Sequence, residues 1–223
     1  MMITTLSFAG GDIVPAPVVQ EKQDYWYLGA GIVYNRVYST DSGWFDDSPL
    51  TQDELGGLTG IIGYEYNQYL AIEGRISKTF WKRDYADLTT YSIFLKPQYQ
   101  FRDNEESGTT NNSFFSIYGL LGFGNAKVEG SSGDSGHIGA HPNVVGREIM
   151  NETGFQWGVG MSYTFVTEAN EQHTRYRDSW SIFVDYTMTA NDGSIHSTLY
   201  SYDPKVYNKL STDGLTVGVL YKF

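Results

Sequence analysis

The chain has 223 residues, a net charge of −11 and aromatic residues at 16% of its positions. The aromatic content argues against a disordered chain, the acidic balance argues against nucleic-acid binding, and the absence of cysteine excludes disulfides and thiolate metal sites. No apolar run approaches the roughly 18 residues of a membrane-spanning helix, although a transmembrane strand needs only about ten residues of alternating character.

The first 24 residues differ in character from the rest. Residues 6–9 read Leu-Ser-Phe-Ala, which is typical of the end of a secretory signal, although no basic segment precedes them. Residues 13–24 contain two prolines and show neither a strand period nor a helix period. We expect residues 1–24 to be a residual signal-like segment and a linker, and residues 25–223 to form the folded domain.

The remaining sequence alternates between two kinds of side chain. Large apolar residues occupy every second position, and glycine, serine, threonine or isolated charges lie between them. A period of two predicts a β-strand whose faces meet different surroundings. In segment 114–124 both faces are apolar, and we assign its odd-numbered residues to the outer face. Eight segments are predicted, at residues 26–34, 58–66, 70–80, 89–101, 114–124, 155–165, 180–188 and 215–223.

The composition of the two faces indicates which face is inside. The small and polar face carries too little Lys and Glu for the surface of a soluble protein, but small side chains fit a crowded barrel interior. The aromatic face then meets lipid; a soluble sandwich or lipocalin-like barrel is the alternative. Six aromatic residues near predicted strand ends match the interfacial girdles of a transmembrane barrel: Trp26, Tyr34, Tyr66, Tyr99, Trp157 and Trp180.

The connections predict how the strands are ordered. Long connections follow the first, fifth and seventh strands, whereas only a short turn at Asn67 and Gln68 joins the second to the third. This pattern favours an all-β, antiparallel, eight-stranded up-and-down transmembrane barrel. The longer turns after the fourth and sixth strands leave ten strands as an alternative. Pro97 cannot donate a backbone hydrogen bond, so a bulge or weak pairing is expected there.

Two segments resemble a known family. Residues 26–32, Trp-Tyr-Leu-Gly-Ala-Gly-Ile, are similar to the first strand of the small outer-membrane β-barrels of the OmpA/OmpX type, within the porin-like outer-membrane β-barrel family. Residues 215–223 resemble the last strand of these barrels, which ends in an aromatic residue. The resemblance implies a monomeric barrel in a Gram-negative outer membrane, without a cofactor. Because such barrels have long outer loops and shorter inner turns, the connection lengths predict that the linker and both termini lie in the periplasm.

The same resemblance implies a role for the last strand. In this family the alternating C-terminal strand is the signal that the barrel-assembly machinery reads. The residues that match this signal are Leu215, Val217, Val219, Tyr221 and Phe223.

The two-residue alternation along each strand places three acids and three bases on the inner face of the barrel. An eight-stranded lumen is just wide enough to be filled by side chains, and a charge buried alone costs several kcal/mol. The sequence therefore predicts an ion-pair network that plugs the lumen, with a narrow gated small-solute channel as the alternative. The inward charges are Glu65, Glu73, Arg75, Lys96, Asp185 and Lys222.

Four basic residues are predicted near the end of the barrel that carries the long loops. Arginine and lysine bind phosphate, and their long stems can lie along apolar surface. We expect this cluster to contact outer-membrane lipid through lipopolysaccharide phosphates, with ordinary snorkelling as the alternative. The residues are Arg36, Lys78, Lys82 and Arg83.

Signals for catalysis are weaker. Some small outer-membrane barrels modify lipid A and need a histidine near serine or a carboxylate, which His196, Ser197 and Asp192 could supply. His137 and His141 are four apart, but flanking glycines and a proline argue against the helix that would align them on a metal. We expect no catalytic or metal site, and a structural or surface-interaction protein whose loops 39–57, 126–152 and 191–212 meet a surface ligand.

Overall fold

The computed structural model describes residues 25–39, 50–82, 86–101, 113–130, 146, 148–166, 179–194 and 209–223. Within these ranges eight antiparallel strands close into one barrel, in which β1 pairs with both β2 and β8. The eight-stranded barrel is confirmed, and the sandwich and ten-stranded alternatives are wrong. The strands are β1 (Tyr25–Ser39), β2 (Leu50–Asn67), β3 (Leu70–Lys82), β4 (Ala86–Phe101), β5 (Phe114–Gly130), β6 (Glu148–Val166), β7 (Ser179–Ser194) and β8 (Lys209–Lys222).

The two faces of the strands differ as the alternation predicts. Outward side chains are large and apolar and about half exposed, for example Ile32 and Ile93 at 62% and 67%. The odd-numbered large residues of β5 face outward, as expected, with Phe123 68% exposed. None of the described residues belongs to a helix long and apolar enough to cross a membrane.

Aromatic residues concentrate at the end of the barrel where the described chain begins and ends. We call this the terminal end, and the opposite end the loop end. Trp157 is a correction to the predicted girdles: it lies opposite Leu121 and Met188, well inside β6, because that strand begins as early as Glu148. The outward aromatics of the terminal end include Trp26, Tyr66, Tyr69, Tyr99, Phe101, Phe115, Phe165, Trp180 and Phe223.

Most strands extend further towards the loop end than the alternation predicts, and their polarity reverses there. The outer face of the extensions is polar and carries Lys127, Glu129 and Glu148, which are joined by ion pairs. The interior is instead a buried apolar cluster, which we call the apolar seal. This reversal indicates where the strands leave the apolar band. The seal consists of Val37, Leu55, Ala86, Leu88, Ala126, Val128, Ile149, Met150, Ala190 and Leu210.

Register shifts alter the parity of β7 near its loop end. The pairing with β8 shifts between Met188 and Ala190, and again between Ala190 and Gly193. Asp192 lies within this irregular stretch with a positive φ of 54°, a conformation that aspartate tolerates better than most residues. Met188, predicted to face lipid, is 5% exposed because the Tyr38 hydroxyl covers its sulfur at 3.6 Å.

Pro97 interrupts one ladder without shifting it. Pro97 lies opposite Leu70 of β3. Among the described ladder pairs, β4 and β5 are joined up to Leu95 and again from Gln98, with the same register on both sides. The structure therefore has the weak pairing expected of a residue without an N–H, and no bulge.

Two glycines on opposite faces of β2 test this packing. A methyl group at Gly63 would overlap the Tyr27 ring inside the barrel, whereas one at Gly60 would meet only Ile76 Cγ2 at 3.6 Å on the outer wall. We expect Gly63→Ala to lower the free energy of unfolding by about 1–3 kcal/mol. Gly60→Ala, the matched control, should leave it nearly unchanged. Equal urea midpoints for both variants in lipid vesicles would contradict the described facing.

Candidate functional site in the lumen and at the rim

Arg75 of β3 joins two acids across the barrel. Its Nε donates to the Glu73 carboxylate on the same strand, and its two terminal nitrogens donate to the Asp185 oxygens at 3.0 and 2.7 Å. Asp185 is on β7, which lies opposite β3 in a ring of eight strands. All three side chains are buried. The planar guanidinium thus links opposite walls by a bidentate pair, which is a strong form of ion pair.

Further donors complete the hydrogen bonding of these acids. Lys96 Nζ and the Tyr27 hydroxyl both donate to Glu73 Oε2, at 2.9 and 2.7 Å. The Tyr118 hydroxyl donates to Asp185 Oδ2 at 3.0 Å. The Lys96 ammonium also lies 4.1 Å from the centre of the Tyr118 ring, a cation–π contact. Both acids therefore accept bonds from more than one side chain, as buried charges require.

The remaining two inward charges form a second pair nearer the terminal end. Lys222 Nζ donates to Glu65 Oε2 at 2.7 Å. Gln100 donates its side-chain amide to the other Glu65 oxygen at 2.9 Å. The structure thus brings all six predicted inward charges into contact with a partner of opposite sign, in two clusters.

Large aromatic side chains inside the barrel were missed by the sequence analysis. Arg75 lies between the rings of Phe94 and Phe183, with centroid distances of 5.7 and 5.9 Å. The alternation itself could have found them, because they share the parity of the inward charges. They are accommodated because glycines face them: a methyl group on Gly218 would come within 2.7 Å of the Phe183 ring.

The four basic residues predicted at the rim do not form one cluster. Arg36 donates to both oxygens of Asp213 at 3.0 and 2.6 Å, and Lys82 lies 3.4 Å from Asp87. Among the residues that the structure describes, Lys78 makes no hydrogen bond or ion pair and is exposed. Arg83 lies outside the described residues.

Asp213 is a rim residue that the sequence analysis did not identify. It faces outward on β8, yet it is only 2% exposed, because Arg36 covers it and the Tyr186 hydroxyl donates to it at 2.9 Å. Asp213 lies outside the predicted strand, which begins two residues later at Leu215, so the alternation does not assign Asp213 to a face. The sequence feature that could have identified Asp213 is Arg36, an outward cation that lies opposite it on the neighbouring strand β1.

Most of the weaker catalytic and metal candidates lie outside the described residues. These are His137, His141, His196 and Ser197. Asp192 is described, and its carboxylate lies 3.7 Å from the Lys209 ammonium. Within the described ranges no three acidic or histidine side chains approach as a metal site would require.

The residues predicted to form an assembly signal lie on β8 and at its C-terminal end. Leu215, Val217 and Val219 face outward and are about half exposed. Beyond the strand, Phe223 donates its backbone N–H to the Trp26 carbonyl at 3.0 Å and its ring stacks on Tyr221.

A closed barrel with an apolar outer wall and charged residues in its lumen defines a transmembrane β-barrel of the bacterial outer membrane. The chain belongs to the family described as outer membrane protein beta-barrel domain, which matches residues 4–223. It is therefore a protein of the Gram-negative outer membrane. A comparison with curated protein sequences finds no match.

Several solved structures are similar to this chain. Neisserial surface protein A has a TM-score of 0.50 at 14% identity, covering 89% of this chain and 97% of that one. The attachment invasion locus protein Ail of Yersinia pestis, in complex with the heparin analogue sucrose octasulfate, has a TM-score of 0.47 at 19% identity, covering 90% and 99%. The outer membrane protein AlkL has 0.42 at 14%, covering 94% of each chain. At these identities the likeness concerns the fold alone.

Removing Arg75 tests the lumen contacts. Arg75→Ala leaves Asp185 and Glu73 without their shared cation, so the free energy of unfolding should fall by roughly 2–4 kcal/mol. Lys127→Ala, which breaks an exposed pair with Glu129, is the matched control and should leave the free energy of unfolding nearly unchanged, because solvent screens exposed pairs. Urea titration in lipid vesicles measures both. An unchanged midpoint for Arg75→Ala would mean that water solvates these acids.

Proposed function

We propose that this protein is a monomeric, sealed barrel with a structural or surface-interaction role. The observation that supports it is that side chains occupy the lumen at two levels. The charged network around Arg75 occupies the half nearer the terminal end, and the apolar seal occupies the loop end. An ion crossing the barrel would have to break paired buried charges and then enter an apolar layer, and both steps are costly.

The proposal places the terminal end in the periplasm. Outer-membrane barrels have short periplasmic turns and longer outer loops. The two-residue turn of Gln68 and Tyr69 lies at the terminal end, whereas the two longest connections, after β5 and β7, leave from the loop end. The last strand, with Phe223 beside Trp26, would then be available to the barrel-assembly machinery from the periplasmic side.

The strand extensions suit a surface role. Beyond the apolar band the barrel wall is polar outside and closed by the apolar seal inside, so the outer loops start from a rigid base. Rigid elements position binding loops more accurately than flexible ones. The structure assigns the outer parts of the predicted loops 39–57, 126–152 and 191–212 to strands. The connections that remain between β1 and β2, β5 and β6, and β7 and β8 lie mostly outside the described residues and would meet the surface ligand.

A narrow channel is the second candidate, and one contact favours it. Glu73 binds both Arg75 and Lys96, so a change of partner could open a path through the charged network without leaving an acid unpaired. The apolar seal argues against this, because it would still close the loop end.

Single-channel recording in planar bilayers separates the two candidates. We expect no stepwise conductance from the parent protein, from Glu73→Ala/Arg75→Ala, or from Leu55→Ala/Leu88→Ala/Met150→Ala, because each variant keeps one barrier. The variant that combines all five substitutions should conduct. Heat-modifiable migration on gels confirms that each variant is folded. Steady, reproducible conductance steps from the parent would contradict the sealed barrel and establish the channel.

A further inference from the structure

A groove crosses the outer wall of the barrel between β2 and β5. It has a volume of about 730 Å³. Gly60 and Gly74 form its floor, because the outward positions of these residues lack side chains where their neighbours carry large ones. The groove is apolar along its length and reaches the polar residues Asn125 and Thr153 at the loop end. Its apolar walls are Ile62, Ile76, Tyr91, Ile93 and Phe123.

The floor of the groove is open rather than filled by neighbouring side chains. A methyl group at Gly60 would meet only Ile76 Cγ2, at 3.6 Å, and one at Gly74 would meet Ile62 at 3.4 Å. A methyl group therefore fits at both positions, and the absence of side chains there leaves a furrow in the floor of the groove that a linear chain can occupy. Because the furrow lies in the apolar band, that chain must be apolar.

Lys78 does not line the groove, but it lies next to its wall, on the loop-end side of Ile76. It shares its face of β3 with Gly74 and Ile76, two residues beyond the latter. On the neighbouring strands it lies opposite Leu58 and Thr89, neither of which can neutralise it.

The lack of an acidic partner distinguishes Lys78 from the other outward cations that the structure describes. Arg36, Lys82, Lys127 and Lys209 all have a carboxylate within 4 Å. Lys78 has none within the described ranges. An exposed ammonium at the border of the apolar band is positioned to bind an anionic group from the membrane itself.

We propose that Lys78 and the Gly60–Gly74 furrow form one binding site for the lipid A part of lipopolysaccharide. The Lys78 ammonium binds a lipid A phosphate, and one acyl chain of the same molecule lies in the furrow. The site rests on the proposed orientation, in which the loop end lies in the outer leaflet. It also narrows the predicted rim contact to a single cation, because Arg36 and Lys82 already have acidic partners.

The two parts of the site reinforce each other. A single exposed ion pair contributes little affinity, and an acyl chain contacts any apolar wall equally well unless the wall is shaped to it. A furrow beside a cation that has no acidic partner among the described residues contacts both the acyl chain and the phosphate of the same lipid. Binding should therefore depend on the charge and on the depth of the furrow together.

Native mass spectrometry of the folded protein in detergent tests the site. The probes are bisphosphorylated lipid A, dephosphorylated lipid A and phosphatidylglycerol. We expect Lys78→Gln to reduce retention of bisphosphorylated lipid A by about two- to fivefold, the range of an exposed ion pair. Dephosphorylated lipid A should be retained equally by variant and parent. Gly60→Val/Gly74→Val should reduce retention of both lipid A forms.

Two control variants keep the result specific. Lys127→Gln removes an outward lysine that already has acidic partners, and Gly119→Val fills an outward glycine in a different groove, lined by Pro97. Neither should change retention of lipid A. Heat-modifiable migration confirms folding of every variant.

Two results would overturn the proposal. Equal retention of bisphosphorylated lipid A by Lys78→Gln and the parent would mean that Lys78 only extends its ammonium into the polar zone of the membrane, without binding a lipid A phosphate. An equal loss for phosphatidylglycerol would show a general phosphate contact rather than a lipid A site. The protein in detergent has no orientation relative to a membrane, so lipid A binding is measured independently of it. Neither result therefore bears on the sealed barrel, which the conductance recordings test separately.

Discussion

The structure depends on the closure of β1 against β8. In the hydrocarbon of a membrane an unpaired backbone N–H or C=O costs several kcal/mol, so a sheet that crosses it must have no free edge. Closing eight strands fixes the width of the lumen, which only side chains can fill. The inward residues must then pack large against small. This is why Tyr27 faces Gly63 and why Phe183 faces Gly218.

The charges in the lumen follow from the same narrow width. A buried ion is tolerated only with a partner and with its remaining hydrogen bonds satisfied. Arg75 meets this condition by spanning the barrel to Asp185, and Glu73 meets it through Arg75, Lys96 and Tyr27. Above this layer the interior becomes apolar and the outer wall polar. The outer wall of the same strands therefore contacts lipid at the level of the apolar band and water beyond it.

The alternation of the sequence predicted much of this arrangement and failed at identifiable places. In a strand every second side chain shares a face whatever the tertiary contacts are. The six charges that the alternation assigns to the inner face each contact a partner of opposite sign. Parity could not show that Arg75 reaches Asp185 rather than another acid, since that depends on which strands lie opposite. The strand ends were missed because the polarity of the two faces reverses there. Met188, predicted to face lipid, is buried because Tyr38 covers it, a contact that alternation along one strand does not show.

The most direct test of this account is the coupling energy between Arg75 and Asp185 in a double-mutant cycle. The free energies of unfolding in lipid vesicles are compared for Arg75→Ala, Asp185→Ala, the double variant and the parent. A dry, bidentate pair should give a coupling of about 1.5 kcal/mol or more. The exposed pair of Lys127 and Glu129 should give a clearly smaller coupling in the same assay, because solvent screens it. Equal coupling for the two pairs would contradict the account, because it would mean that the lumen around Arg75 is filled with water rather than side chains.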